Sequence, residues 1–268
     1  MKAAPLRGVP PIGDQAATSS SSRAVLTVAT DLSFGAEAFP AVALAALPAL
    51  RLLQLVSPSL PTGAFAYSQG LEAVLDLGWV SGEVEAAGYL ETLLSASLAT
   101  LDLPLVLRLH TAWERRDVER AAALSAWLLA SRESGELQAQ ERQMASALAR
   151  VLREIRPAAL AAAGGRLRAP TTFAEALTAA AVAFGLSAEA TLLGYAYTWC
   201  ESHVAALAKL LPLGPIAGQR VLDRLLRRVP EVVAHARLVG DDAVGASAPG
   251  LAIASALHET QHTRLFRS

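Results

Sequence analysis

The sequence predicts an all-α fold, a single-domain bundle of roughly eight to ten helices behind a mobile N-terminal leader. From residue 41 onward the chain is rich in Ala, Leu, Glu and Arg, which are strong helix formers. Gly and Pro recur at intervals that suit helix ends, and alternating strand patterns are scarce. With 268 residues, 53% of them hydrophobic and 18% charged, the chain can bury a sizeable core.

The predicted helices begin after the leader and are separated by breakers. Gly78 stops the first, the Leu103-Pro104 pair follows the second, and Gly185 closes a later one. Pro157 and the Gly164-Gly165 pair interrupt the regular pattern in between. The predicted helices cover residues 65–77, 83–100, 105–115, 118–129, 135–153, 173–184, 188–211 and 216–229.

Three of these helices carry hydroxyl residues at their starts. Ser134 precedes the helix at 135–153, on which Glu136, Glu141 and Arg142 indicate the solvent-facing side. Thr172 with Glu175 forms a capping box. Ser187 begins the longest helix, which is apolar on more than one side and is therefore expected in the middle of the bundle.

The sequence divides into two regions. Residues 1–40 are rich in Ser, Pro, Ala and Thr without a sustained period, which predicts a disordered or loosely attached leader. Residues 41–268 are expected to form the all-helical domain. The longest apolar stretch, residues 41–50, contains a proline and is too short to cross a bilayer, so no membrane span is expected.

Composition also indicates the compartment and excludes classes of partner. The polar run at residues 18–22 stands where a secretory signal would be apolar, and the single cysteine, Cys200, excludes an internal disulfide framework. Both observations favour the cytoplasm. The formal net charge of −1 gives no basis for a nucleic-acid surface, since phosphate binding requires clustered cationic residues.

The most distinctive stretch of the chain is residues 57–72, called here the signature segment. Pro58 and Pro61 hold the backbone extended, Gly63 permits a turn, and Phe65 and Leu71 begin a helical apolar stripe. By itself this is also the pattern of a proline-rich helix entrance.

Three separate pieces of the sequence carry a family resemblance through their order and spacing. They are the signature segment, the run from Trp199-Cys200-Glu201-Ser202-His203 to the Pro212–Arg220 corner, and the last residues, 258–268, called here the tail. Together they resemble the urease accessory protein UreF family, from about residue 50 to residue 268. The leader takes no part in the resemblance.

The resemblance implies a function and a set of partners. Members of this family are non-catalytic, all-helical chaperones that dimerise and bind the UreD (also called UreH) accessory protein and the UreG GTPase. The complex is implied to place nickel into apo-urease in a GTP-dependent step. No cofactor of the chain itself is implied, and no catalytic residue.

The resemblance also assigns partner-binding residues. In the tail, the residues implied to hold UreD are His258, Glu259, Gln261, Arg264, Leu265, Phe266 and Arg267. The candidates for dimer and UreG surfaces are Tyr67, Ser68, Gln69 and Glu72, with Pro212, Leu213, Gly214 and Gln219. The chain departs from the family at Pro215, where Gln is typical, and at His262, where an aromatic residue is common.

The composition of the tail favours the same interpretation. Residues 264–268 interleave two arginines with a leucine and a phenylalanine, side chains that often anchor one protein in a groove of another. The alternative is that the tail packs on its own domain.

Two patterns suggest metal chemistry. His258-Glu259-Thr260-Gln261-His262 spells the H-E-x-x-H motif of zinc peptidases, in which two imidazoles one helical turn apart bind the metal. A zinc-dependent hydrolase is therefore the alternative function. However, a catalytic zinc needs a third protein ligand, and residues 263–268 offer no His, Asp, Glu or Cys.

Cys200 and His203 are weaker metal candidates. They lie three residues apart and share a helix face, but two ligands do not complete a site. A buried cysteine and a hydrogen-bonded histidine are the favoured interpretation. The sequence also has no G-x-S-x-G elbow and no phosphate-binding G-x-x-x-x-G-K-[ST] loop, so the chain is not expected to be an enzyme.

Overall fold

A computed structural model describes residues 39–156, 169–246 and 248–268, with side chains from residue 46 onward. This part of the chain contains helices and turns and no strand, which confirms the all-α prediction. Residues Ala41–Ser268 form one compact unit. The predicted leader up to residue 38, Pro157 and the Gly164-Gly165 pair lie outside the described residues.

The α-helices are α1 (Phe39–Leu55), α2 (Leu71–Asp76), α3 (Glu83–Leu93), α4 (Leu103–Glu114), α5 (Val118–Ala130), α6 (Gly135–Ile155), α7 (Phe173–Ala183), α8 (Ala188–Leu210), α9 (Pro215–Ala236) and α10 (Pro249–His258).

The three predicted hydroxyl caps are all present. The side chains of Ser134, Thr172 and Ser187 each accept a hydrogen bond from the backbone N–H three residues later. These bonds satisfy donors that have no partner within the first turn of a helix. Helices α6, α7 and α8 consequently begin where the sequence predicts.

The second and third predicted helices are one continuous helix, contrary to the break expected at Pro104. Residues Leu94–Asp102 form a π-helical stretch that joins α3 to α4. A proline normally leaves the carbonyl four residues earlier without a donor. Here that carbonyl, on Thr100, accepts a hydrogen bond of 3.0 Å from the backbone N–H of Gly245. The loop before α10 therefore supplies the donor that Pro104 lacks.

The first predicted helix, residues 65–77, is broken in the structure. Its beginning is a 3₁₀ turn, Ala64–Ala66, and its remainder is α2. Gln69 and Gly70 between them have positive φ angles of 53° and 78°. A side chain at position 70 would place its Cβ 3.2 Å from the backbone nitrogen of Ser255 on α10. The close approach of α10 thus requires glycine at this turn.

One further helix boundary differs from the prediction, and two helices were not predicted. Helix α9 continues through Pro230 to Ala236 instead of ending at residue 229. Helices α1 and α10 were not predicted, because each is short on polar residues that would reveal a helical period. Helix α8 lies in the middle as expected, in contact with α2, α4, α7 and α9.

The continuous helix Glu83–Glu114 is long and apolar enough to span a membrane by length and composition alone. Leu90, Leu94, Leu101 and Leu109 on it are fully buried within the bundle. The buried core helix of a bundle surrounded by water can have the same length and composition. These two properties are therefore weak evidence for a membrane-spanning helix.

A cluster of charged residues lies inside the bundle, beside these leucines. Arg132, in the loop between α5 and α6, bonds to Asp102 at 2.5 Å and to Glu141 at 2.6 Å. Glu141 therefore lies in the core and not on the solvent-facing side predicted for it. Its second oxygen accepts the backbone N–H of Phe173 at the start of α7. Tyr195 on α8 donates its hydroxyl to Asp102.

Burial and the Asp102 carboxylate raise the pKa of Tyr195 well above its ordinary value, so the phenol stays protonated and remains a donor. The cluster thus joins the π-helical stretch, the α5–α6 loop, α6, α7 and α8 by charge-assisted bonds. Removing the central cation would leave two buried carboxylates without their partner.

We expect Arg132→Met to lower the free energy of unfolding by about 3–5 kcal/mol, because it leaves uncompensated buried charge. Urea denaturation followed by circular dichroism measures the loss. The control is Arg228→Met, which breaks the exposed pair between Arg228 and Glu231 and should cost at most about 1 kcal/mol. Equal losses in the two variants would contradict the assignment of a structural role to the buried cluster.

Candidate functional site

The tail folds back onto the signature segment. The backbone N–H of Arg267 donates to the carbonyl of Ala66 at 2.9 Å, and the N–H of Ser68 donates to the backbone oxygen of Ser268 at 2.6 Å. The hydroxyl of Ser68 donates to the same oxygen. Two segments 200 residues apart are thereby joined through their backbones. In this structure the tail therefore packs on its own domain.

Glu72 is the centre of this contact, at the second position of α2. Its side chain accepts the backbone N–H of Leu265 at 2.7 Å and that of Phe266 at 2.9 Å. One of the same oxygens lies 3.2 Å from Nε2 of His258. Glu72 is only 8% exposed, so these donors replace the water that a carboxylate would otherwise bind. The carboxylate thus fixes the course of the tail.

His258 links Glu72 to a second carboxylate. This imidazole is fully buried, and its Nδ1 lies 2.6 Å from the side chain of Glu136 on α6. The other oxygen of Glu136 accepts from Arg264 at 2.5 Å. Carboxylate, imidazole, carboxylate and guanidinium therefore alternate through α2, α10, α6 and the tail.

Aromatic contacts complete the docking of the tail. Phe266 is buried, and the ammonium group of Lys209 lies 5.4 Å from its ring and 5.6 Å from the ring of Phe65. The hydroxyl of Ser268 donates to Gln140 on α6. Leu265, by contrast, is 63% exposed. The tail is thus anchored by one large side chain and presents the neighbouring one to solvent.

The other residues predicted in the signature segment support the same surface. Tyr67 is buried and donates its hydroxyl to Gln143 on α6 at 2.5 Å. Burial raises the pKa of Tyr67, which keeps this hydroxyl a donor. Ser68 is buried beneath the tail, whereas Gln69 occupies the strained turn and borders an internal cavity.

The remaining predicted residues fall in two places. Pro212, Gly214 and Gln219 are exposed and Leu213 is half-buried at the corner between α8 and α9. Among the described residues this corner shares no hydrogen bond with the tail. Within the tail, Glu259 accepts the backbone N–H of Glu136, and Gln261 is half-buried in the turn that follows α10.

The geometry does not support the zinc-hydrolase alternative. Helix α10 ends at His258, so His262 does not lie one helical turn further along the same helix. Both nitrogens of His258 already face carboxylates. In the described ranges, no group of three or more His, Cys, Asp or Glu side chains is arranged to hold a metal ion.

Cys200 and His203 are both buried on α8, as the non-metal interpretation requires. Burial raises the pKa of Cys200 to about 12, so the group is a neutral thiol. Nδ1 of His203 donates to the carbonyl of Trp199 at 2.8 Å, and the two rings stack at 3.9 Å. Nε2 has no partner in the described chain. His203 borders a small internal cavity together with Ser97, Ser202 and Gln140.

The sequence comparisons decide the family. A family model described as UreF matches residues 80–226. This chain belongs to the UreF family. A curated relative named urease accessory protein UreF from Azoarcus sp. (strain BH72) is 45% identical over 225 residues, which cover 83% of this chain and 96% of that protein.

Relatives of the same name occur in other bacteria. That of Chromohalobacter salexigens is 41% identical over 219 residues, or 81% of this chain and 93% of its own length. That of Hahella chejuensis is 40% identical over 222 residues, or 83% of this chain and 99% of its own length. Membership of the UreF family supports a role for this chain in urease maturation.

Glu72→Gln should loosen the tail, because an amide cannot supply the charged acceptor oxygens used by Leu265, Phe266 and His258. We expect the docked tail to lose about 1–3 kcal/mol of stability. Hydrogen exchange at the N–H groups of Leu265 and Phe266 should then accelerate by about fivefold to 150-fold. Glu119→Gln, at an exposed glutamate, is the matched control and should leave both rates unchanged. Unchanged protection in Glu72→Gln would refute the role of this carboxylate.

His203 should make stability sensitive to acid. Burial lowers its pKa from 6.5 to about 4, so below pH 6.5 the unfolded chain takes up a proton that the folded chain refuses. Relative to His203→Gln, the wild-type free energy of unfolding should fall by about 1.4 kcal/mol per pH unit between pH 6.5 and about 4. Above this window the difference should be constant. Denaturant titrations across the pH range measure it, and a parallel pH dependence of the two proteins would contradict the assignment.

Proposed function

We propose that this chain is a non-catalytic scaffold of urease maturation. In this proposal a homodimer of the chain binds the UreD accessory protein and the UreG GTPase in the cytoplasm. The assembly couples GTP binding and hydrolysis on UreG to the delivery of nickel to apo-urease. The scaffold acts by making different contacts with the nucleotide states of UreG, because a partner shifts an equilibrium only through differential affinity.

The observation that carries the proposal is the joining of the signature segment and the tail into one surface. Both segments were assigned to partner binding by family resemblance, and they lie 200 residues apart in sequence. Their backbones are now paired through Ser68 and Ser268, and the carboxylate of Glu72 holds the tail in place. A rigid, preorganised surface binds a partner at a smaller entropic cost than a mobile tail would.

Leu265 is the residue of this surface that is best placed to contact UreD. It is 63% exposed, and its neighbours Arg264 and Phe266 hold its backbone in position. Exposed apolar side chains flanked by polar groups are typical of interface anchors. Within the tail, we therefore expect Leu265 to make the contact with UreD. Because its side chain is exposed, a substitution there should not disturb the fold.

Co-expression of the chain with UreD and UreG, followed by pull-down, tests the proposal. The wild-type chain should recover both partners, and Leu265→Asp should reduce recovery of UreD by about tenfold or more because the charge would be desolvated in the interface. Leu238→Asp is the matched control, since Leu238 is 84% exposed and follows α9. It should bind normally.

The outcomes separate the scaffold from the tail assignment. Full capture of UreD by Leu265→Asp, with unchanged circular dichroism, would refute the tail contact alone. Failure of the wild-type chain to capture either partner would refute the scaffold. Turnover of a substrate by the purified chain without partners would refute the non-catalytic role.

A further inference from the structure

A groove runs beside the tail between the signature segment and α6. Its volume is about 500 Å³. One wall consists of signature residues, the other of one face of α6, and the tail contributes a single arginine. Its lining includes Phe65, Tyr67, Gln143, Arg142, Arg150 and Arg267.

The groove is positively charged and contains no acidic side chain. Its charged residues are Arg142, Arg150 and Arg267. Arg142 reaches only the side-chain oxygen of Gln138, at 3.4 Å. Arg267 reaches the side-chain oxygen of Gln143, at 3.5 Å, and the hydroxyl of Tyr67. The side chain of Arg150 has no hydrogen bond or ion pair to any other described residue. Three guanidinium groups therefore face one groove without a carboxylate partner.

Several other surface arginines are paired with carboxylates, although Arg115 and Arg120 have no such partner among the described residues. Arg220 pairs with Glu83, Arg224 with Glu91 and Arg108 with Asp241, all between separate elements of the fold. The whole chain has a formal net charge of −1. The groove thus keeps its positive charge, because no carboxylate of the described residues lines it or pairs with its three arginines.

The spacing of these charges fits an extended chain. Arg142 and Arg150 lie eight residues apart on α6, which corresponds to about 12 Å along the helix. An extended peptide advances about 6.6 Å every two residues, so carboxylates four positions apart, about 13 Å, match this distance. Arg267 faces the same space from the tail. Phe65, 68% exposed at the edge of the groove, offers an apolar contact beside the charges.

We propose that this groove binds an extended, acidic segment of a partner protein. Guanidinium groups form paired, charge-assisted bonds with carboxylates, which favours side chains of Asp and Glu as ligands. Nucleic acid is disfavoured because duplex or strand binding requires a longer basic track than one groove of this size. This inference goes beyond the proposed scaffold function, since it assigns a ligand chemistry to a groove that the proposed UreD contact at Leu265 does not use.

Fluorescence anisotropy with a defined probe tests the groove. The probe is a fluorescein-labelled glycine–serine peptide with aspartate at alternate positions, and its matched control carries asparagine there. The full-length wild-type chain should bind the aspartate peptide at low ionic strength and lose affinity as salt is added. The double variant Arg142→Gln/Arg150→Gln should bind at least about tenfold more weakly.

Arg115→Gln/Arg120→Gln is the matched control protein. These two arginines are also exposed and form no side-chain ion pair with the described residues, but they lie outside the groove. The control carries the same change in net charge and should bind the aspartate peptide as the wild type does. An equal loss in both double variants would show a general charge effect and overturn the proposal.

Three other results would overturn it as well. The first is equal binding of the aspartate and asparagine peptides. The second is displacement of the aspartate peptide by inorganic phosphate at the same concentration as the peptide. The third is tighter binding of a single-stranded oligonucleotide than of the aspartate peptide. Neither Arg142 nor Arg150 lies in the tail. Loss of peptide binding and loss of UreD capture are therefore separate results, and either can fail without the other.

Discussion

The carboxylate of Glu72 is the interaction on which the candidate site depends. It brings α2, α10 and the tail to one point, because it accepts two successive backbone N–H groups and lies against a buried imidazole. A charge so deeply buried is stable only when hydrogen-bond donors replace its water. The tail supplies these donors, so tail and signature segment complete each other.

Local chemistry made much of the fold predictable, and long-range contacts account for most of what was missed. The hydroxyl caps at Ser134, Thr172 and Ser187 depend on residues within one turn, so the sequence shows them directly. The break at Gln69 and Gly70 depends on α10, nearly two hundred residues later, and Pro104 is accommodated through Gly245. A period or a breaker residue carries no information about such partners.

The candidate site shows the same division. Family resemblance selected the signature segment and the tail, but not the α6 side chains that join them. Glu136, predicted to face solvent, bonds to His258 and Arg264, while Gln140 and Gln143 meet Ser268 and Tyr67. A polar stripe at this spacing is normally a wet face of a helix. Only the three-dimensional structure shows that this polar stripe contacts the tail and the signature segment.

The π-helical stretch at Leu94–Asp102 allows a single rod to serve two sets of neighbours. Before it, α3 packs on α9; after it, α4 packs on α5 and α7. Each residue of an α-helix rotates the chain by about 100°, so the wider turns reset the angular phase of the apolar stripe midway along the rod. Shortening this stretch by one residue would restore ordinary winding and swing the second half out of alignment with its neighbours. The number of residues in this stretch therefore sets how the two halves of the bundle fit together.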